Sequence, residues 1–272
     1  MTQELLQSLR SEKPADRWRA ASLLVSAARA QQSEALAALA DALEDDHPFV
    51  RWCAGLTLVQ ARRPQATATL LSALDKGPSR RQAAAADSLA YARKVNPEPL
   101  LRTLSSEDAV VRQSAAEALG RLGYWPSMSQ LIALLTDDSA WVRRAATKAL
   151  AHIGNGSAID PLTQRVRDDS PWVRRSAVYA LGAMRAQPSV SALITALDDP
   201  DAQVRRNAAW SLGRIRGADA LPRLRALQAD ATLDEEFLQE VETAINTIQR
   251  PGLRRLHSMR QTWPLRRVAS TS

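Results

Sequence analysis

Six side chains are spaced so that they could meet an anionic or planar partner together: Arg144, Lys148, Arg175, Tyr179, Arg206 and Trp210. Arg144, Arg175 and Arg206 lie 31 residues apart, and Lys148, Tyr179 and Trp210 each follow four residues behind one of them. Residues four apart share one face of a helix. The fixed period therefore lays two columns side by side as a strip. Guanidinium groups interleaved with aromatic rings offer salt bridges and stacking at once. That chemistry is recognition: of a protein partner first, with a nucleic acid as an alternative. The competing expectation is a solvated face whose rings rest on arginine stems.

Two more columns run beside the strip. Arg51, Arg112, Arg143, Arg174 and Arg205 each follow an acid by five or six residues. A planar guanidinium at that place is expected to join the loop of its own unit to the next loop, a structural ladder rather than a partner site. Two residues before three of these arginines stand Phe49, Trp141 and Trp172, which the spacing puts near a rim. Paired tryptophans there either form a contact surface, since Trp is enriched at such places, or cover the loops between units.

The elements that must carry these columns are visible as repeats. Asp137-Asp138-Ser139-Ala140-Trp141-Val142-Arg143-Arg144 returns as Asp168-Asp169-Ser170-Pro171-Trp172-Val173-Arg174-Arg175, and again from Asp199. A period of this size marks a solenoid. Apolar residues recur three and four apart, so each unit reads as two helices. Ser139, Ser170 and Asp201 stand at N-cap positions, and Pro171 and Pro48 suit the first helical turn. The units fall near 1–31, 32–63, 64–94, 95–124, 125–155, 156–186, 187–217 and 218–249. In the third, Ser79-Arg80-Arg81-Gln82-Ala83-Ala84 replaces the motif, and in the last the motif gives way to Asp234-Glu235-Glu236-Phe237. Residues 250–272 form a basic tail, either flexible or folded back on Leu256, Met259 and Trp263.

The pattern Asp-x-x-x-x-Val-Arg-x-x-Ala-Ala-x-x-Leu-Gly resembles the HEAT-like repeats of the phycobilin lyase superfamily, most clearly over 105–216. The resemblance implies an all-α, right-handed α-solenoid of about eight two-helix units, with the second helices lining the concave side. It implies scaffold, assembly or chaperone-type roles, and bilin attachment in heterodimeric lyases. A related type holds metal on repeated His-Glu pairs. His47, His152 and His257 are not followed by Glu, so no metal and no cofactor are expected.

Composition narrows the classes further. Apolar residues make up 45% of the chain and aromatic ones 4%, so Ala and Leu carry the core. The net charge of +7 permits an acidic partner without requiring one. The tail from Arg250 holds six Arg and no acid, and supplies most of the excess. A single cysteine, Cys53, rules out an internal disulfide. The start Met1-Thr2-Gln3-Glu4 lacks the features of a secretion signal, and no apolar run is long enough for a bilayer, so the expectation is a cytoplasmic protein. No catalytic residues are assigned. Cys53 and His47 lack a third group to orient them, and the glycines end helices rather than cradle phosphate.

Overall fold

The computed structural model describes residues 2–92, 95–230 and 233–249. They form an all-α right-handed solenoid of paired helices. We number the pairs as units 1 to 8. The second helices are Pro14–Leu23, Pro48–Ala61, Ser79–Leu89, Ala109–Leu122, Ala140–Ile153, Pro171–Ala183, Ala202–Ile215 and Glu235–Gln249. The first helices change character along the chain. In units 2 and 3 they are continuous, Ser33–Ala42 and Pro64–Lys76. In units 5 to 7 a short α-helix is flanked by single 3-10 turns, as in Met128–Ala133 between Trp125–Ser127 and Leu134–Thr136. Among the described residues no helix is long and apolar enough to cross a membrane, and no group of His, Cys, Asp or Glu is arranged to hold a metal. The basic tail lies outside the described residues.

Small residues set the curvature. A Cβ built on Gly120 would stand 2.5 Å from Cα of Ala149 in the next second helix. One on Gly182 would stand 2.7 Å from Cα of Ser211. Adjacent second helices therefore touch backbone to backbone, closer than Leu-filled contacts allow. Buried hydroxyls tie the same surfaces: Ser211 Oγ donates to the Val178 carbonyl at 2.8 Å, and Thr57 Oγ1 to the Ala21 carbonyl at 2.9 Å. This close approach makes the second-helix side the inside of the curve. The Ala/Leu core, from Ala21 through Leu119 and Leu150 to Ile245, is continuous along the array, so each unit completes the core of its neighbours.

Two local readings differ from the sequence expectation. Ser139 and Ser170 stand at the N-cap, but neither hydroxyl caps its helix. Asp137 and Asp168 turn back instead and accept the serine backbone N–H at 2.9 and 3.0 Å. Asp201 does cap, accepting from the Val204 N–H at 2.9 Å. In unit 3, Ala85 and Ala86 are fully buried in the place that Ala115 and Ala116 hold in unit 4. The motif thus aligns two residues later than Ala83-Ala84 suggests, because a run of four alanines hides the register.

Candidate functional site

The ladder arginines form the rungs of a loop-to-loop structure. Arg143 gives Nε and Nη2 to Asp168 of the next unit at 2.9 and 2.8 Å, and Nη1 to the Asp137 and Asp138 carbonyls of its own loop. Arg112 makes the same bonds to Asp137 and its own Ser106 and Glu107 carbonyls. Arg174 does so with Asp199 and the Asp168 and Asp169 carbonyls. A planar fork suits this four-way bond. Burial alone would push the Asp168 carboxyl upward, yet the Arg143 bonds hold it below the usual carboxylate range. The Asp168 hydrogen bond in turn raises the Arg143 guanidinium.

Arg17 is an equal member that the column reading passes over. It pairs with Asp45 at 2.7 and 2.9 Å and with the Ser11 and Glu12 carbonyls of its own loop. Arg51 and Arg205 make only half of the structure. Arg51 binds the Asp45 and Asp46 carbonyls of its own loop. The next unit has Lys76 where a rung needs Asp. Arg205 binds the Asp199 and Pro200 carbonyls, its nearest carboxylate is Asp234 at 3.8 Å, and its buried Nε lacks a partner among the described residues. In unit 3 the rung position is Gln82, which donates to the Leu74 carbonyl at 3.0 Å.

The strip and the rim, separate columns in the sequence, meet in space. The Arg144 guanidinium lies 5.7 Å from the Trp141 ring centre and 5.8 Å from that of Trp172. Arg175 lies over the Trp172 ring as well, 4.6 Å from its centre. The result is an alternating Trp141–Arg144–Trp172–Arg175 ladder whose indoles remain 56% and 48% exposed. Tyr179 and Trp210 stack beside it, centres 4.8 Å apart and planes 8° from parallel. Arg214 lies 5.4 Å from the Trp210 ring. Phe49 belongs elsewhere: it stacks on Trp52 at 5.6 Å and meets the edge of Trp18 at 5.4 Å, in units 1 and 2.

The cations of the strip are not equivalent. Arg175 makes a bidentate pair with Asp201, the cap of the next second helix, at 2.8 and 2.5 Å. Arg206 pairs with Glu236 of the last helix. The Arg144 guanidinium makes no ion pair or hydrogen bond among the described residues and rests on the two indoles. Lys148, half-buried one turn on, has its ammonium pKa lowered by burial and by Arg144.

Asp87 completes the column of Lys148, Tyr179 and Trp210 in unit 3, hidden in the sequence by the shifted register. It remains accessible to water, but protein crowds round it on the floor of the second-helix face. That crowding, with Glu117 close by, pushes its carboxyl up to about 6, against the Ser114 hydrogen bond and Arg121. Beside it Trp52, Leu56, Ser88 and Tyr91 enclose a recess with room for a single water. A substrate does not fit there. His47 Nδ1 accepts the Phe49 N–H at 3.3 Å, and Cys53 is buried, so neither faces a site.

A ladder-linked array of paired helices with a continuous core and an inner face of second helices defines the chain as an α-solenoid repeat protein. The sequence model described as HEAT repeats matches residues 2–90, 97–182 and 159–245, and the chain belongs to that family. Among solved structures, YibA of Escherichia coli is 21% identical with a TM-score of 0.66, over 91% of this chain and 92% of that one. An engineered protein is 21% identical with a TM-score of 0.54, over 90% and 77%. A chain in the complex of Kap95p with RanGDP is 15% identical with a TM-score of 0.61, over 91% of this chain and 40% of that one. These likenesses establish the fold. No curated protein matches the sequence.

Proposed function

We propose that the chain is a protein-binding scaffold, of the adaptor or assembly-factor kind, whose partner lies along the second-helix face of units 5 to 7. The observation that carries this is the Trp141–Arg144–Trp172–Arg175 ladder, four large side chains pre-ordered against one another with both indoles still wet. Side chains fixed before binding lose little further entropy when a partner arrives. Exposed Trp beside Arg is also the composition of interface hot spots.

A photo-crosslinking side chain at Tyr179, on the inner face, should capture a stoichiometric protein in the native host. The same group at Ser72, on a first helix, should not. Equal capture from both positions, or none from Tyr179, overturns the reading.

The resemblance to phycobilin lyases supplies a second reading, in which the Tyr179–Trp210 stack and its arginines take a bilin. A shift in the bilin's visible absorbance on mixing, lost in Trp210→Ala, supports it, and an unchanged bilin spectrum removes it. A nucleic-acid role has less support, because Arg175 and Arg206 are already neutralised by Asp201 and Glu236. It predicts binding that falls steeply with salt.

A further inference from the structure

The cations of the inner face differ in what their charge already meets. Arg112, Arg143 and Arg174 are spent on rungs, Arg175 on Asp201 and Arg206 on Glu236. Arg144 alone of these faces only rings. Its guanidinium lies 5.7 and 5.8 Å from the Trp141 and Trp172 ring centres, and among the described residues no carboxylate or carbonyl accepts from its N–H groups. Lys148 lies one turn further on, close enough for both Arg144 and Glu117 to act on its ammonium. The surroundings are apolar and partly exposed: Trp141, Trp172 and Tyr179.

Resting on the scaffold reading, we propose that Arg144 is the anchor of the partner site, and that it receives a carboxylate from an acidic side chain flanked by apolar residues in a protein segment. A charged hydrogen bond from a partly buried guanidinium resting on indole rings is stronger than one from a fully solvated side chain. The two indoles would cover the stem of the incoming Asp or Glu and its apolar neighbours. A polyphosphate chain fits worse. It carries roughly one charge per 3.4 Å of strand, and along this face it would run past Asp201 and Glu236, and toward Glu117 and Asp87. Arg214, which also rests on a ring, lies on Trp210 two units away, so a ligand seated between Trp141 and Trp172 meets Arg144 beside an Arg175 already paired with Asp201, which suits a point charge on an otherwise apolar ligand.

The probe is a displayed library of random twelve-residue peptides, selected on the immobilised full chain, on Arg144→Gln and on Arg144→Lys. The wild-type chain should enrich peptides with Asp or Glu beside an aromatic or aliphatic residue. The best of them should lose about tenfold in affinity to Arg144→Gln, the effect of one charge-assisted hydrogen bond. It should keep part of that affinity for Arg144→Lys, which retains charge without the planar fork. Circular dichroism establishes that the variants are folded, and Arg102→Ala on the outer face serves as a control that leaves binding unchanged. Acidic enrichment that survives in Arg144→Gln overturns the anchor while leaving the scaffold reading intact. Neutral or basic enrichment, or no enrichment, also overturns it. Tighter binding of a single-stranded oligonucleotide than of any selected peptide overturns it in favour of nucleic acid. Failure of the Tyr179 crosslink is the separate result that removes the scaffold reading itself.

Discussion

Units 4 to 7 and units 2 to 4 hold their loops together in opposite ways. In the former, Arg112, Arg143 and Arg174 each reach forward to an aspartate that is nearly shut off from water; Asp168 is 2% exposed. In the latter, the forward reach is missing. Among the described residues Arg51 forms no ion pair with a carboxylate of unit 3, though its charge reaches Asp87, and the position ahead of Gln82 is Ser106, where later units have Asp137 or Asp168. Unit 3 reaches backward instead, with Arg80 on Asp46 and Arg81 on Asp41 and Glu44, where the carboxylates are largely solvent-exposed. Exposed pairs contribute about 0–1 kcal/mol each. Removing one partner of a buried pair costs about 3–5 kcal/mol, because a charge is left without its counterion. The same number of arginines therefore gives a stiff C-terminal array and a looser joint at unit 3.

The strongest test of that contrast is Asp168→Ala, which takes from Arg143 its buried carboxylate and from the Ser170 N–H an acceptor. We expect a loss of about 3–5 kcal/mol in denaturant melts followed by tryptophan fluorescence. Asp46→Ala, by the same measurement, should cost less than about 1 kcal/mol. Equal losses would abolish the distinction between the two regions. A constructive test is smaller in effect. Gln82→Arg with Ser106→Asp supplies both halves of an absent rung, and should stabilise by about 1–2 kcal/mol, the worth of a charged hydrogen-bonded pair. The gain should exceed the sum of the two single changes; strict additivity would mean that no rung forms.

The smallest effect concerns Asp87, at the joint. Its folded value, pushed up to about 6, lies above that of an unfolded aspartate near 3.9. The fold thus favours the neutral acid. That contribution is full below about pH 4 and is lost as pH rises through about 6. Asp87→Asn lacks the loss, so its melting temperature should gain on the parent between pH 4 and 6. The shift should be modest because water reaches the carboxylate. Parallel curves over that range would show that Asp87 is ordinary.

The repeat period makes the fold and the column positions legible in sequence, since Val142, Val173 and Val204 recur with their arginines at one spacing. Pairings are less legible. Asp201 and Glu236 neutralise Arg175 and Arg206 from the next unit, 26 and 30 residues on, where nothing in the local motif marks them. Arg17 is obscured because Asp16 replaces the valine that announces its equivalents. Asp87 is obscured by the alanine run, which fits several registers until burial chooses one. The sandwich of Arg144 between Trp141 and Trp172 joins side chains of two units, and depends on how closely neighbouring helices approach.

The rungs also fix the grain at which this chain can change length. Each guanidinium grips a carboxylate 25 residues ahead, across the seam between one unit and the next. Excising residues 156–186 removes 31 positions and brings Asp199 to the place Asp168 held, so Arg143 finds an equivalent carboxylate. Excising a different number leaves it facing a loop of the wrong phase. Whole units are thus interchangeable parts within the C-terminal array, and insertion or loss by single residues is not tolerated at its seams.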